Sequence, residues 1–453
     1  DYSQINDAIN GYIAETYPDA NVTLELKLFG PAEYADKINL AMQSGTAMDI
    51  FIPLGIQTFI AQNQCLAIED LLDEYGQGIK DILAQDFGED AFNVFTKDGH
   101  IYGVPVNKGM VVTPTLTYDK DMLQATGYSI DDIDTIRDLP PVFDKVKELY
   151  PDVYPFAGTN QQDTSIMMIL KGETEMDPLA DINMMGVAFG DSDKVVNLYE
   201  SEEFYDYISL MRDWYEKEYM PQDMATSTTR ATELMAADRL FCTWAGYGGD
   251  SIATTMSAST GKNIGGKWIA PFYLTTSDAG LAMCISSTSK VPEGAMKMLD
   301  IIYTDEYVIN TILYGIEGED YVKVDEHHWA YPEGKDANTV SYTAAYCTGV
   351  IGSESLQYQP VGVPYDDVLL KLQQNKETKR SPYFGFNFDP SAVTNEMTAL
   401  QNVYNQYMPG LICGSLDPDT AIPEFNNALK EAGIDNVIAA KQEQLDAWIA
   451  ANK

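Results

Sequence analysis

Ile5, Ile9, Tyr12 and Ile13 recur at helical spacing, and Tyr17-Pro18 closes the helix they predict. Val22, Leu24, Leu26 and Leu28 then alternate with Thr23, Glu25 and Lys27, which predicts a strand ended by Phe29-Gly30-Pro31. Tyr34, Ile38, Ala41 and Met42 form the apolar face of the next helix, with Gly45 as its stop. Asp49-Ile50-Phe51-Ile52 follows as a short buried strand, broken at once by Pro53-Leu54-Gly55. Helix, strand, helix and strand in this order predict an α/β layer on a largely parallel sheet. Ligands of such sheets bind beyond the carboxyl ends of the strands. The break at Pro53 falls at one of these ends and is expected to form part of a ligand cleft wall.

The same alternation returns further on. Tyr154-Pro155-Phe156-Ala157 runs into the polar loop Gly158-Thr159-Asn160-Gln161-Gln162-Asp163, and a helix starts near Ile166. Phe204, Tyr207, Ile208, Met211 and Tyr215 mark a long amphipathic helix. Leu240-Phe241-Cys242-Thr243-Trp244 predicts a strand that ends in Ala245-Gly246-Tyr247-Gly248-Gly249. Residues 281–285 predict another strand, followed by a helix with Ala295, Met298, Leu299 and Ile302 on one face. In the tail, Met397, Leu400, Tyr404 and Tyr407 share a helical face that Gly410 is expected to close. Two α/β cores without a long flexible linker point to two lobes joined by short crossings.

Length supports that division, because 453 residues exceed one ordinary core. The charge narrows the partners. With 28 basic and 69 acidic residues the formal net charge is −41, a field that repels nucleic acid and anionic lipid surfaces. No run approaches the ~18 apolar residues that span a bilayer. The five cysteines are widely spaced and contain no CxxC, so neither a zinc ribbon nor a disulfide scaffold is indicated. Cys242 and Cys284 sit in apolar runs and are expected to be small core residues.

Nothing selects for catalysis. The chain has only His100, His327 and His328, and no GxSxG, GxxxxGK[ST] or HExxH. Adjacent histidines on a strand point apart, so His327-His328 is not expected to chelate a metal. Asp131-Asp132-Ile133-Asp134 reads as a solvated turn, and Asp417-Pro418-Asp419 as a helix cap rather than a calcium loop. A glycosidase needs only two carboxylates about 5–10 Å apart, which a chain this acidic cannot reveal by sequence. Aromatic placement carries more. Trp244, Tyr247, Tyr102 and the run Tyr383-Phe384-Gly385-Phe386-Asn387-Phe388 lie near predicted strand ends and glycine loops. Such rings can stack on the apolar face of a sugar while amides and carboxylates take its hydroxyls.

These residues resemble a known family. Residues 41–68, with a glycine-stopped helix, an Asp-headed strand and Leu66-Ala67-Ile68-Glu69-Asp70, resemble the first lobe of extracellular solute-binding proteins of carbohydrate ABC transporters, the group that includes maltose-binding protein. His100-Ile101-Tyr102-Gly103-Val104-Pro105-Val106-Asn107 is similar to the segment leading to the hinge, and Tyr118-Asp119-Lys120 to the end of the first crossing strand. Ala236-Ala237-Asp238-Arg239-Leu240-Phe241 through Trp244 resembles lobe two, and residues 281–302 resemble the return to lobe one. Tyr314-Gly315-Ile316-Glu317-Gly318, Gly385-Phe386-Asn387-Phe388-Asp389, Ala432-Gly433-Ile434-Asp435 and Gln444-Leu445-Asp446-Ala447-Trp448 resemble the lipoprotein-type subgroup with a characteristic C-terminal domain. That family carries a strand before the first helix, whereas this sequence opens at Asp1 just before it. The expectation is therefore a chain clipped ahead of residue 1, with the lipid-bearing cysteine in the missing part.

The resemblance implies a periplasmic-binding-protein-like α/β fold: two α/β lobes joined by hinge crossings, with a ligand cleft between them. Lobe one is expected over 1–112 and 279–335, and lobe two over 113–278 and 336–453, including a helical region at 382–453. The crossings are expected near 110–118, 274–280 and 335–342. Ligand is expected to bridge Gly30, Pro53, Gly55, Gln57, Asn107 and Lys108 on one lobe with Asn160, Gln161, Asp163, Trp244, Tyr247 and Phe384 on the other. The implied function is binding of an extracellular oligosaccharide and its delivery to an ABC transporter permease, by a monomer on the outer face of the cytoplasmic membrane. No cofactor, metal, nucleic acid or catalysis enters, and the membrane is met only through the lipid anchor. A peptide or an anionic saccharide, with Lys108, Arg230, Lys379 and Arg380 supplying positive charge, is the alternative ligand; a glycoside hydrolase is the alternative of another class.

Overall fold

Ile5, Ile9 and Ile13 lie on one buried face of the Ser3–Thr16 helix, as their spacing of four requires. The Pro31–Ser44 helix starts with proline in its first turn and ends at Gly45, which adopts φ +66° and donates its N–H to Ala41. Between them the expected strand does not form. Residues 22–28 are extended, and their side chains alternate between exposed and half-buried, but no ladder joins them. Asparagines of the first helix replace a neighbouring strand. Leu24 donates its N–H to Asn10 Oδ1 at 2.6 Å and accepts from Asn10 Nδ2 at 2.9 Å. Leu26 donates its N–H to Asn6 Oδ1 at 3.0 Å.

The computed structural model describes residues 2–46, 48–111, 114–158, 165–179, 185–188, 193–245, 249–276 and 280–452. They divide into two units, one of Asp1–Met110 with Ala279–Glu377, the other of Val111–Asp278 with Thr378–Lys453. The third passage of the chain between units therefore lies at 377–378, and the expected boundary near 335 is corrected. The reason is local. Residues 336–377 are bonded into the first unit: Asp320 accepts from Ser341 Oγ and Tyr342 N, and Tyr342 Oη donates to Ile312 O. Tyr314 Oη likewise donates to Tyr358 O at 2.7 Å.

In the first unit, Ile50–Phe51, Ala282–Ile285 and Val104–Pro105 form a sheet in that order. Ala282–Ile285 is antiparallel to both neighbours, which corrects the expectation of a largely parallel sheet. A strand arriving from the other unit runs in the reverse direction and separates two strands that would otherwise be parallel partners. Behind it lies the Pro292–Thr304 helix, whose Ala295, Met298, Leu299 and Ile302 are all buried. Tyr303 Oη donates to Pro105 O at 2.8 Å.

The second unit is built on a sheet ordered Ile264–Trp268, Thr115–Asp119, Leu240–Ala245 and Tyr154–Ala157. Only the pairing of Leu240–Ala245 with Tyr154–Ala157 is parallel there. Every residue of Thr115–Asp119 and of Leu240–Ala245 is buried, as expected of strands covered on both faces. The Glu202–Glu216 helix, capped by Ser201 on the Phe204 N–H, sends Phe204, Tyr207, Ile208, Met211 and Trp214 into the same core. Three tail helices, Thr394–Ile412, Pro418–Glu431 and Ile434–Asn452, close it with Leu400, Phe425 and Leu445. The first of these does not stop at Gly410 but continues to Ile412, and Gly414 turns the chain at φ +70°. Asp417 caps the second by accepting from Asp419 N at 2.9 Å.

Candidate functional site

The break after Ile50–Phe51 has a definite cause. Ile52 would extend the strand, but Tyr34 Oη accepts its N–H at 3.0 Å and donates to its carbonyl at 2.9 Å. With both main-chain groups taken by a side chain, the ladder ends. Pro53 is buried behind this cap, Leu54 is exposed, and Gly55 adopts φ +81° to open the Ile56–Ala61 helix. Gln57, half-buried on that helix, and Gly30, exposed before the Pro31–Ser44 helix, both belong to this unit.

Asn107 is redirected by the structure. It is 1% exposed, and its Nδ2 donates to Asp86 Oδ2 at 2.6 Å and to Ser353 Oγ at 2.7 Å. Its main chain joins residues 352–354 through Asn107 N to Gly352 O and Glu354 N to Asn107 O. The expectation that its amide faces ligand is corrected: the group ties the segment around Ser353 to the first unit. Lys108, one residue on, is half-buried. Burial holds its ammonium below the usual lysine range, partly offset by the Glu354 charge. Glu354 was not visible in the sequence reading, because its link to Gly109, a main-chain N–H donated to Oε2 at 3.2 Å, spans 245 residues. Lys371 Nζ stands 3.9 Å from the same carboxylate.

In the second unit, Trp244 is 2% exposed, with its ring centroid 4.8 Å from Phe156 and 6.4 Å from Trp214. It belongs to the hydrophobic core, which corrects its expected role as a sugar platform. The cause is register. Trp244 lies inside the Leu240–Ala245 strand, paired with Leu116, not beyond its end. Phe384 is also buried and donates its N–H to Ser381 O. Asn160, Gln161, Asp163 and Tyr247 lie outside the described residues.

The three histidines have separate engagements. His100 Nδ1 pairs with Glu69, His328 Nδ1 lies 2.8 Å from Asp325 Oδ1, and His327 stacks on Tyr365 with ring centroids 3.9 Å apart. Among the described residues no three His, Cys, Asp or Glu side chains gather where they could hold a metal ion. No described helix is long and apolar enough to cross a membrane. The polar groups that the candidate residues of the first unit offer are the Gln57 amide, the Lys108 ammonium and the exposed main chain at Gly30 and Gly55.

Comparison with known proteins adds the following. Residues 12–314 match the family model described as bacterial extracellular solute-binding protein. Residues 382–450 match a domain of unknown function (DUF3502). A carbohydrate ABC transporter substrate-binding protein of Streptococcus pneumoniae serotype 4 (strain ATCC BAA-334 / TIGR4) is 28% identical over 450 residues, spanning 95% of this chain and 85% of that protein. The crystal structure of the N-glycan transport solute binding protein NgtS from Streptococcus pneumoniae aligns over 99% of this chain and 96% of that one, with 25% identity and a TM-score of 0.81. The same protein in complex with Man1GlcNAc aligns over 98% and 96%, with 25% identity and a TM-score of 0.69.

Proposed function

This chain belongs to the bacterial extracellular solute-binding protein family, and from that membership we propose that it binds an oligosaccharide and hands it to the permease of an ABC transporter, without chemical change. The observation that carries this reading is the likeness, along nearly the whole chain, to an N-glycan transport solute binding protein. The residues support it in kind. Gln57 offers an amide donor and acceptor, Lys108 a cation, and the exposed Gly30 and Gly55 leave the main chain approachable by sugar hydroxyls, whereas the buried Pro53 offers no such contact. Asn160, Gln161, Asp163 and Tyr247 are proposed as the contacts from the second unit. Glycan recognition of micromolar strength requires about −8 kcal/mol, which a handful of hydrogen bonds at ~1 kcal/mol each and one or two stacked rings supply in order of magnitude.

The permease as partner, a monomeric state and a lipid anchor are parts of the same proposal. Calorimetric titration of the full chain with mannose- and N-acetylglucosamine-containing oligosaccharides tests it. Saturable heat without shortening of the glycan on prolonged incubation is the expected result. Silence toward every glycan beside a clear signal from a peptide library, or the appearance of shorter products, overturns it.

A further inference from the structure

The edge of the second unit's sheet carries a cavity of about 170 Å³ that, among the described residues, none of the candidate ligand residues lines. Tyr154–Ala157 is the edge strand, and the cavity runs along it to Gly158, against the turn at residues 221–229 and the start of the Leu240–Ala245 strand. Met224 and Leu234 provide apolar lining, while Asp223, Ser227, Thr229 and Arg239 provide polar groups.

Two of these groups are charged and unmatched. The Arg239 guanidinium stands 5.7 Å from the Tyr154 ring centroid, and among the described residues it has no carboxylate partner. In a chain with 69 acidic and 28 basic residues an unpaired arginine is unexpected on numbers alone. The carboxylates next to it in sequence are engaged elsewhere, Asp238 by Lys262 and Glu233 by the Arg230 N–H. Asp223 is held by its main chain, its carbonyl accepting from Thr226 N and Ser227 N, which leaves the carboxylate unpartnered among the described residues. One main-chain donor is poorly served as well. Among the described residues the Gly158 N–H meets only the Met224 thioether, at 3.3 Å, and sulfur of that kind is a weak acceptor.

We propose that this cavity is a second ligand site, confined to one unit, for a single sugar acid of the hexuronate class. Arg239 takes the carboxylate through its planar fork, pre-oriented by the Tyr154 ring. Asp223 and Thr229 take ring hydroxyls, Gly158 N–H gains an oxygen acceptor, and the C–H face of the ring lies on Met224 and Leu234. The volume lies below the ~300–1,000 Å³ of pockets for larger organic ligands, so it suits one ring and not a chain. This goes beyond the oligosaccharide reading and does not depend on it.

The test is titration of the full chain at low salt with sodium D-glucuronate, D-glucose and glycine. Glucuronate is expected to bind at least tenfold more tightly than glucose, with affinity falling as salt is added. Arg239→Gln is expected to lose at least tenfold in glucuronate affinity and Arg239→Lys to lose less, both with unchanged melting temperature, since the side chain is exposed. Affinity for any oligosaccharide should be the same in both variants as in the parent, so the two readings fail separately. Equal binding of glucose and glucuronate, no effect of Arg239→Gln, or glycine displacing glucuronate would overturn the proposal.

Discussion

Trp244 lies against Phe156 with ring centroids 4.8 Å apart and planes inclined by 51°, two adjacent strands of one sheet meeting through their largest side chains. Trp214 approaches from the helix above, 5.3 Å from Phe156. Truncation of Trp244 therefore opens a hole at the centre of a packed core. Trp244→Ala should cost about 3–5 kcal/mol, read as a large fall in melting temperature. Oligosaccharide affinity, measured below the new transition, should stay within a few-fold of the parent. A variant that kept its melting temperature but lost ligand would return Trp244 to the binding surface.

Asn10 offers a sharper test of how residues 22–28 are held. Its side chain exchanges two hydrogen bonds with Leu24, so its loss leaves an N–H and a carbonyl of a part-buried segment without partners. Such groups cost about 1–3 kcal/mol each when buried and less where water reaches them. Asn10→Ala should thus destabilise the chain modestly. The amides of Leu24 and Leu26 should exchange with solvent faster than in the parent while those of the Pro292–Thr304 helix keep their protection. Uniform acceleration would show that the segment has no independent stability.

These two sites show why some of the fold was legible in the sequence and some was not. Periodicity located the helices because Ile5, Ile9 and Ile13, or Phe204, Ile208 and Met211, register only the chain's own neighbours in one helix. The alternation at residues 22–28 correctly recorded which side chains point inward, but an alternating pattern cannot say what partners the main chain. Here the partner is a helix. The same limit governs Trp244, where a one-residue question of strand end decides between ring platform and core. Glu354 and Ser353 reach Gly109 and Asn107 only through contacts more than 240 residues apart, which no local pattern encodes.

Asp320 holds the segment that the sequence assigned to the wrong lobe. The residue is 1% exposed, and one carboxylate oxygen accepts from Ser341 Oγ and Tyr342 N while the other accepts from Ile316 N at 3.0 Å. Asp320→Ala strands one buried and one part-buried main-chain donor and a hydroxyl. The expected loss is several kcal/mol at about 1–3 kcal/mol per group, with Asp320→Asn milder because one oxygen remains. Limited proteolysis should cut Asp320→Ala between residues 335 and 350 under conditions that leave the parent intact.

His328 and Asp325 form a pair whose strength depends on pH in a predictable sense. The carboxylate raises the His328 pKa, chiefly through its hydrogen bond to Nδ1, and hydrogen bonds from the main chain of residue 327 and from His328 lower that of Asp325. A raised folded-state value for histidine gives stability that is fully present below its unfolded value, about 6.5, and is lost as pH rises through the folded one. At the acid end it disappears as pH falls through the depressed Asp325 value. The difference in melting temperature between the parent and His328→Gln should therefore be largest on the acid side of neutrality, above the Asp325 titration, and should shrink toward pH 9. A difference that grew with pH would exclude the ion pair as its source.

Lys108 tests whether a buried charge is kept for ligand at the expense of stability. Burial lowers its pKa, so the folded chain holds the proton less readily than the unfolded chain does. Where the unfolded state binds more protons, stability rises with pH; below the lowered folded value the full penalty of burying the ammonium applies. Lys108→Met keeps the stem and removes the charge, and it should raise the melting temperature at pH 7, with the gain fading as pH approaches the unfolded value near 10.4. In the same variant oligosaccharide affinity should drop about tenfold, equivalent to about 1.4 kcal/mol. A stabilised variant that binds glycan as the parent does would show that Lys108 makes no ligand contact, whereas a destabilised one would show that its charge is satisfied within the fold by Glu354.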